Sequence, residues 1–180
     1  MATTKHTLVA LVEDHPGVLN RVASLFRRRG FNIDSIAVGQ SETPNISRMT
    51  IVVDGTNTSV EQVRKQLDKL IETVKVTDIS GENIVVRELA LFKVKTTSAN
   101  RSEVIQIVDI FRANIVDVSS DTLMVEVTGD EDKLSSLLKL LSGFGVKEVC
   151  RTGRIAMTRG VINEGHRNSR QSESAEDKVK

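Results

Sequence analysis

Leu8-Val9-Ala10-Leu11-Val12-Glu13-Asp14-His15-Pro16-Gly17-Val18-Leu19-Asn20-Arg21-Val22-Ala23-Ser24-Leu25-Phe26-Arg27-Arg28-Arg29-Gly30-Phe31-Asn32-Ile33-Asp34-Ser35-Ile36 joins two apolar strands through a polar turn and one amphipathic helix. The run Leu8 to Val12 stops at Glu13-Asp14. Pro16 and Gly17 then open a helix over 18–29, whose Val18, Leu19, Val22, Leu25 and Phe26 recur at helical spacing. Gly30 ends it, and Arg27, Arg28 and Arg29 read as cations at a helix C-terminus. A strand–turn–helix junction of this kind aims free N–H groups and the positive helix end at one point, which suits a carboxylate. Asp14 and Asn32 supply oxygens for an ammonium, and a free α-amino acid carries both groups. Taken bare, the same residues also read as a helix cap at Asp14 and a tight-turn glycine at Gly17.

Outward from that stretch the pattern continues as strand Met49 to Val53, helix Val60 to Ile71 and strand Val74 to Ile79, completing β-α-β-β-α-β. The same order recurs as strand Leu89 to Lys95, helix Arg101 to Arg112, strands Ile115 to Val118 and Thr122 to Val127, helix Glu131 to Leu141 and strand Val146 to Cys150. Leu25-Phe26 leading to Asn32-Ile33-Asp34 is echoed by Ile110-Phe111 leading to Asn114-Ile115-Val116-Asp117. The expected fold is therefore α+β, a tandem of ferredoxin-like βαββαβ units with antiparallel sheets. The expected division is 1–81, 82–160 and a polar, disordered tail over 161–180. Val60, Val63, Leu67, Leu70 and Ile71 line one helical face, and Leu134, Leu137, Leu138 and Leu141 another. Leu123, Val125 and Val127 share one side of their strand. A unit this small buries only ~60% of the surface its unfolded chain exposes, so self-association is expected to cover the open sheet face and edges.

Composition narrows the function classes. The 180 residues are 39% hydrophobic and 27% charged, ordinary globular values. No apolar run approaches the ~20 residues of a membrane span, and Met1 to His6 lacks the apolar core of a signal peptide, so a cytosolic protein is expected. A net charge of +1 exerts no global pull on nucleic acid or anionic lipid. His6, His15 and His166 lack the spacing of a metal or nucleophile site, and Cys150, alone in its strand, reads as an inert buried thiol. No phosphate-loop or dinucleotide fingerprint is present, and Asp130-Glu131-Asp132 reads as a helix cap. No catalytic residue, metal site or bound cofactor is expected.

The opening run resembles an ACT domain, and residues 5 to 160 together resemble the small regulatory subunits of acetohydroxyacid synthase. The resemblance rests on Glu13 to Leu19, Arg29-Gly30-Phe31-Asn32-Ile33, Ser47-Arg48-Met49-Thr50, Lys65-Gln66-Leu67, Lys69-Leu70, Val86-Arg87-Glu88-Leu89, Ile110 to Asp117 and Arg151-Thr152-Gly153. It implies a non-catalytic subunit that binds a branched-chain amino acid, valine foremost, between the paired ACT domains of a homodimer. Asp14, Gly17, Val18, Leu19, Asn32 and Ile33 are the implied effector site. Asp14, where many relatives carry asparagine, keeps the acceptor and adds charge attraction for the ammonium. Leu19 and Ile33 read equally as ligand contacts or core residues, and Arg48 as a partner contact or a strand-edge residue. The implied partner is the catalytic large subunit, which carries thiamine diphosphate, magnesium and FAD and which the small subunit both stimulates and restrains.

Two other functions share the pattern. A free-standing amino-acid sensor would have the same N-terminal unit. An RNA-recognition domain shares the element order but stacks bases on strand aromatics, whereas this chain has no Trp or Tyr and no Phe in Met49 to Val53. The turn at Ala99-Asn100-Arg101-Ser102-Glu103 lacks glycine, so only the first unit is expected to hold the effector, and a chain ending near Ser80 is expected to retain binding.

Overall fold

The computed structural model describes residues 5–54 and 60–160. In chain order, β1 (Lys5–Glu13), α1 (Val18–Arg29), β2 (Ile33–Gln40), β3 (Ile46–Asp54), α2 (Val60–Leu67) and β4 (Thr73–Asp78) build a sheet ordered β2-β3-β1-β4. Then β5 (Ile84–Lys95), α3 (Arg101–Ile110), β6 (Asn114–Val118), β7 (Thr122–Gly129), α4 (Glu131–Ser142) and β8 (Val146–Arg151) repeat the plan in the order β6-β7-β5-β8. A final strand, β9 (Ile155–Thr158), pairs with the front of β5. All pairings are antiparallel. The chain is an α+β tandem of ferredoxin-like units.

Strand alternation sets each core. Leu8, Ala10 and Val12 on β1 lie opposite Ile51, Met49 and Ser47 on β3, and the apolar ones pack under Val18, Val22, Leu25 and Phe26 of α1. In the second unit Ala90, Phe92 and Val94 join Leu123, Val125 and Val127 beneath Val104, Val108, Leu134, Leu137 and Leu141. Asp130 caps α4 by accepting the Lys133 N–H at 2.9 Å, as its acidic opening foretells.

Several expectations change. Helix α2 ends at Leu67 rather than Ile71, because Lys69 and Leu70 donate to carbonyls three residues back and Ile71 is 85% exposed, so no burial rewards another turn. Likewise α3 stops at Ile110, 76% exposed, and Arg112 turns the chain with φ 50°. Cys150 is exposed, not buried: it pairs with Leu91 on an edge strand and faces away from the helices. The tail expected over 161–180 lies outside the described residues.

The largest departure is β9. It was not foreseen, and β5 begins at Ile84 instead of Leu89. Val86 pairs with Ala156 and Arg87 with Ile155, making a two-stranded ribbon laid over the open face of the first sheet. Ala156, Ile84 and Val86 pack there against Val9 and Ile79. Thr7, Thr50 and Val52 on that face are buried as well. The open face of the first unit is thus covered by its own chain, and the need for self-association falls on the edges instead.

Candidate effector site

The β1–α1 turn is built to leave donors unspent. Glu13 donates to Glu72 O at 2.9 Å and Asp14 to Asn45 O at 2.8 Å, which seat the end of β1 against its neighbours. Gly17 then takes φ 97°, a left-handed conformation that L side chains resist, and becomes the N-cap of α1. It offers no side chain, so no capping oxygen meets the first N–H groups. Among the four described helices α1 alone has no acidic residue in its first turn. Its positive end is left bare beside the exposed Asp14, whose carboxylate makes no hydrogen bond among the described residues. Asp14 is not a helix cap. An anion at the helix start and a cation at Asp14 are the complements this turn accepts.

Of the neighbouring residues, Leu19 is 49% exposed and presents an apolar side chain beside the turn. Val18 is 4% exposed, so its side chain serves packing, whereas Ile33 is partly buried against the first core and keeps part of its side chain open. Asn32 stands elsewhere. The register puts Ile33 opposite Val53 and Val53 opposite His6, whereas Glu13 lies opposite Ile46. Asn32 and Asp14 therefore sit at opposite ends of one sheet, ~20 Å apart at ~3.3 Å per strand residue. The 12-residue α1 runs back along the sheet before β2 starts, so one chain does not converge these two side chains on a single ligand. A ligand held by both side chains therefore draws them from two chains. Both β2 and β4 are edge strands, and β2, with Val38 46% exposed, has its outer edge open.

Glu72 was not anticipated at the site. It is 5% exposed, its Oε1 is 2.5 Å from Arg21 Nη1 on α1, and its Oε2 has no hydrogen-bond partner among the described residues. Its peptide oxygen holds Glu13 in place. An acid directly after the apolar pair Leu70-Ile71 at the approach to a strand is the sequence signal that marks it.

The other end of β2 is bolted to the second unit. Lys5 lies 3.0 Å from Asp34 and 2.9 Å from Glu131, and Arg154 lies 2.7 Å from the same glutamate. The hydrogen bond from Lys5 holds the Glu131 carboxyl below its usual range, and the same bond raises the Lys5 ammonium. Arg154 N–H donates to Ser35 Oγ at 2.8 Å, and a Cβ at Gly153 would stand 2.9 Å from that oxygen. Arg48, left open in the sequence, donates from Nη2 to Ala156 O at 3.1 Å, so it ties β3 to the ribbon.

The matching turn of the second unit is closed. Lys95 and Thr96 donate to Gly145 O and Asp121 O, as Glu13 and Asp14 do to Glu72 O and Asn45 O. There the likeness ends. Asn100 Oδ1 accepts the Thr97 N–H at 2.7 Å, and Arg101 Nη2 donates to Ser119 O and Ser120 O at 2.8 and 2.7 Å. Asn114, which starts β6 as Asn32 precedes β2, is spent on Glu126 at 3.1 Å.

Comparison with known proteins agrees with this two-unit reading. Residues 8–75 match the family model "AHAS small subunit-like ACT domain" and residues 87–160 match "Small subunit of acetolactate synthase". The acetolactate synthase small subunit of Mycobacterium bovis is 51% identical over 160 residues, 89% of this chain and 95% of that one. That of Mycolicibacterium smegmatis is 49% identical over 158 residues, 88% and 93%. The crystal structure of the acetolactate synthase small subunit from Thermotoga maritima superimposes with a TM-score of 0.81 at 46% identity, covering 88% of this chain and 99% of that one.

Proposed function

The chain belongs to the family of acetolactate synthase small subunits, and on that premise we propose that it is the amino-acid sensor of the complex: it binds a branched-chain amino acid, valine foremost, between the N-terminal units of two copies and restrains a catalytic large subunit accordingly. In this reading thiamine diphosphate, magnesium and FAD belong to the large subunit, which the small subunit stimulates when effector is absent. The observation that carries it is the bare N-terminus of α1 beside Asp14, whose carboxylate has no partner among the described residues, with the exposed Asn32 at the far end of the same sheet. A carboxylate seats on the Gly17–Leu19 backbone and the ammonium on Asp14. Two copies related by a two-fold across the open β2 edge bring one chain's turn to the other's Asn32. Because Asp34 and Ser35 adjoin Asn32 and hold Lys5 and Arg154, occupancy bears on the segment that contacts the second unit. Regulation then requires that bound and free arrangements differ in affinity for the large subunit, and binding the large subunit must shift effector affinity by the same factor.

The test is subunit mixing. Asp14→Ala and Asn32→Ala should each cost ~1.5–3 kcal/mol of valine binding, the range for a hydrogen bond to a charged group, or roughly 10- to 150-fold in dissociation constant. Each mixed dimer places an intact Asp14 against an intact Asn32 once and pairs the two alanines at the other site. Calorimetry on the unfolded-and-refolded mixture should recover high-affinity binding in a minority of sites. Unchanged affinity in both single variants, or no recovery on mixing, refutes the shared site.

A further inference from the structure

We propose a second small-molecule site, for a short aliphatic carboxylate that lacks an ammonium, in the cleft between the first sheet and the β5–β9 ribbon. The cleft has a volume of about 300 Å³, at the low end of ligand cavities, and lies where the two units meet. Its walls are apolar, with Val38, Val85, Ile155, Ala156 and Met157 among them. Ile155 and Met157 are 58% and 63% exposed, large apolar side chains left without cover on a strand of four residues. Two guanidiniums, Arg48 and Arg87, stand in this lining, and no carboxylate does.

That imbalance sets the cleft apart from the polar junction beside it. In the neighbouring polar junction each cation has an acid: Lys5 with Asp34 and Glu131, Arg151 with Glu88, Arg154 with Glu131. Arg48 spends Nη2 on Ala156 O and Arg87 spends Nη1 on Val86 O, both backbone carbonyls, and neither meets a carboxylate among the described residues. A guanidinium with donors to spare in an apolar setting selects a planar anion and binds a carboxylate edge-on. The apolar walls disfavour sugars and nucleotides, whose hydroxyls would lose water without compensation. An amino acid is disfavoured too, because no carboxylate in the lining offers its ammonium a counter-charge, in contrast to Asp14 at the β1–α1 turn. Arg48 lies across the sheet from Gly39, and a Cβ at Gly39 would meet nothing within 4 Å. The missing side chain is what keeps the floor of the cleft open.

The probe is 4-methylpentanoate, the carbon skeleton of leucine without its amino group, titrated into the full chain by ligand-observed NMR. Binding in the ~0.1–1 mM range is expected for so small a ligand. Gly39→Leu fills open space without a strained backbone and should weaken binding at least tenfold; Arg48→Met should do the same, whereas Asp14→Ala should leave it unchanged. Leucine should not displace the probe. The proposal does not depend on the effector reading, since the two sites respond to different substitutions. Absence of binding overturns it, as does binding indifferent to a folded Gly39→Leu variant or abolished by Asp14→Ala.

Discussion

Replacing Gly153 by alanine should damage the fold well beyond the same change at Gly17, although both glycines are left-handed, with φ of 84° and 97°. An L side chain in that region costs ~1–2 kcal/mol, and the reduced freedom of the unfolded chain returns ~0.4–1 kcal/mol. At Gly17 the new Cβ meets nothing within 4 Å, so the net loss is ~1 kcal/mol. At Gly153 the Cβ would stand 2.9 Å from Ser35 Oγ, closer than real Cβ contacts allow, and 3.0 Å from Ile36 O, tighter than nearly all of them. The β8–β9 linker must lift from β2, and the 2.8 Å hydrogen bond from Arg154 N–H to Ser35 Oγ goes with it, worth a further ~0.5–1.5 kcal/mol. Together with the repacking, about 2–4 kcal/mol is lost. At ~2–4 °C per kcal/mol for a chain of this length, the melting temperature should fall about 2–4 °C for Gly17→Ala and about 4–16 °C for Gly153→Ala. Thermal unfolding followed by far-UV circular dichroism reads both. Adding Ser35→Ala to Gly153→Ala should recover little, because the backbone carbonyl of Ile36 still stands in the way. Equal losses at the two glycines would refute the inter-unit contact as drawn.

Glu131 is the acid of the inter-unit junction, and its folded pKa is depressed below 4.5, so its contribution is present above the unfolded value and disappears as pH falls from about 4.5. With 41% of the side chain exposed, screening keeps the contribution small, ~1 kcal/mol or less, and the gap in melting temperature between wild type and Glu131→Gln should narrow from pH 7 to pH 4; a constant gap counts against the ion pair. A chain cut after Ser80 removes Ile84, Val86 and Ala156 from above Val9 and Ile79, so it should bind 8-anilinonaphthalene-1-sulfonate and aggregate where the full chain does not; a monodisperse, dye-silent fragment would show the ribbon to be dispensable. Cys150 should react with a disulfide reagent in the folded protein as fast as in urea, and strong protection would contradict its exposure.

How much of this was legible in the residues depends on how local each feature is. The β1–α1 junction was readable because Pro16, Gly17 and the spacing of Val18, Val22, Leu25 and Phe26 act within one short stretch of chain. The repeat was readable because the core faces recur, although the echo was placed slightly off: Phe31 N–H returns to Phe26 O as Ala113 N–H returns to Val108 O, so Phe26 corresponds to Val108 rather than to Phe111. Ends of helices were misread at Ile71 and Arg112, where apolar periodicity runs on past the last residue that finds cover. The ribbon was missed because four residues with one buried member, Ala156, carry almost no alternation.

The sequence by itself determined the order of β1 to β8 and α1 to α4, the doubled ferredoxin-like plan and the helix start at Gly17, because these follow from side-chain periodicity and backbone preference over a few residues; the family was legible in its motifs rather than in periodicity. Only the tertiary structure decided that Asp14 and Asn32 stand at opposite ends of one sheet, that β9 and the front of β5 cover the first unit, and that Arg48 and Arg87 share a cleft without an acid. Those facts depend on strand register and on contacts between residues far apart in the chain. A register is set by how whole faces pack, and no single stretch of chain records it.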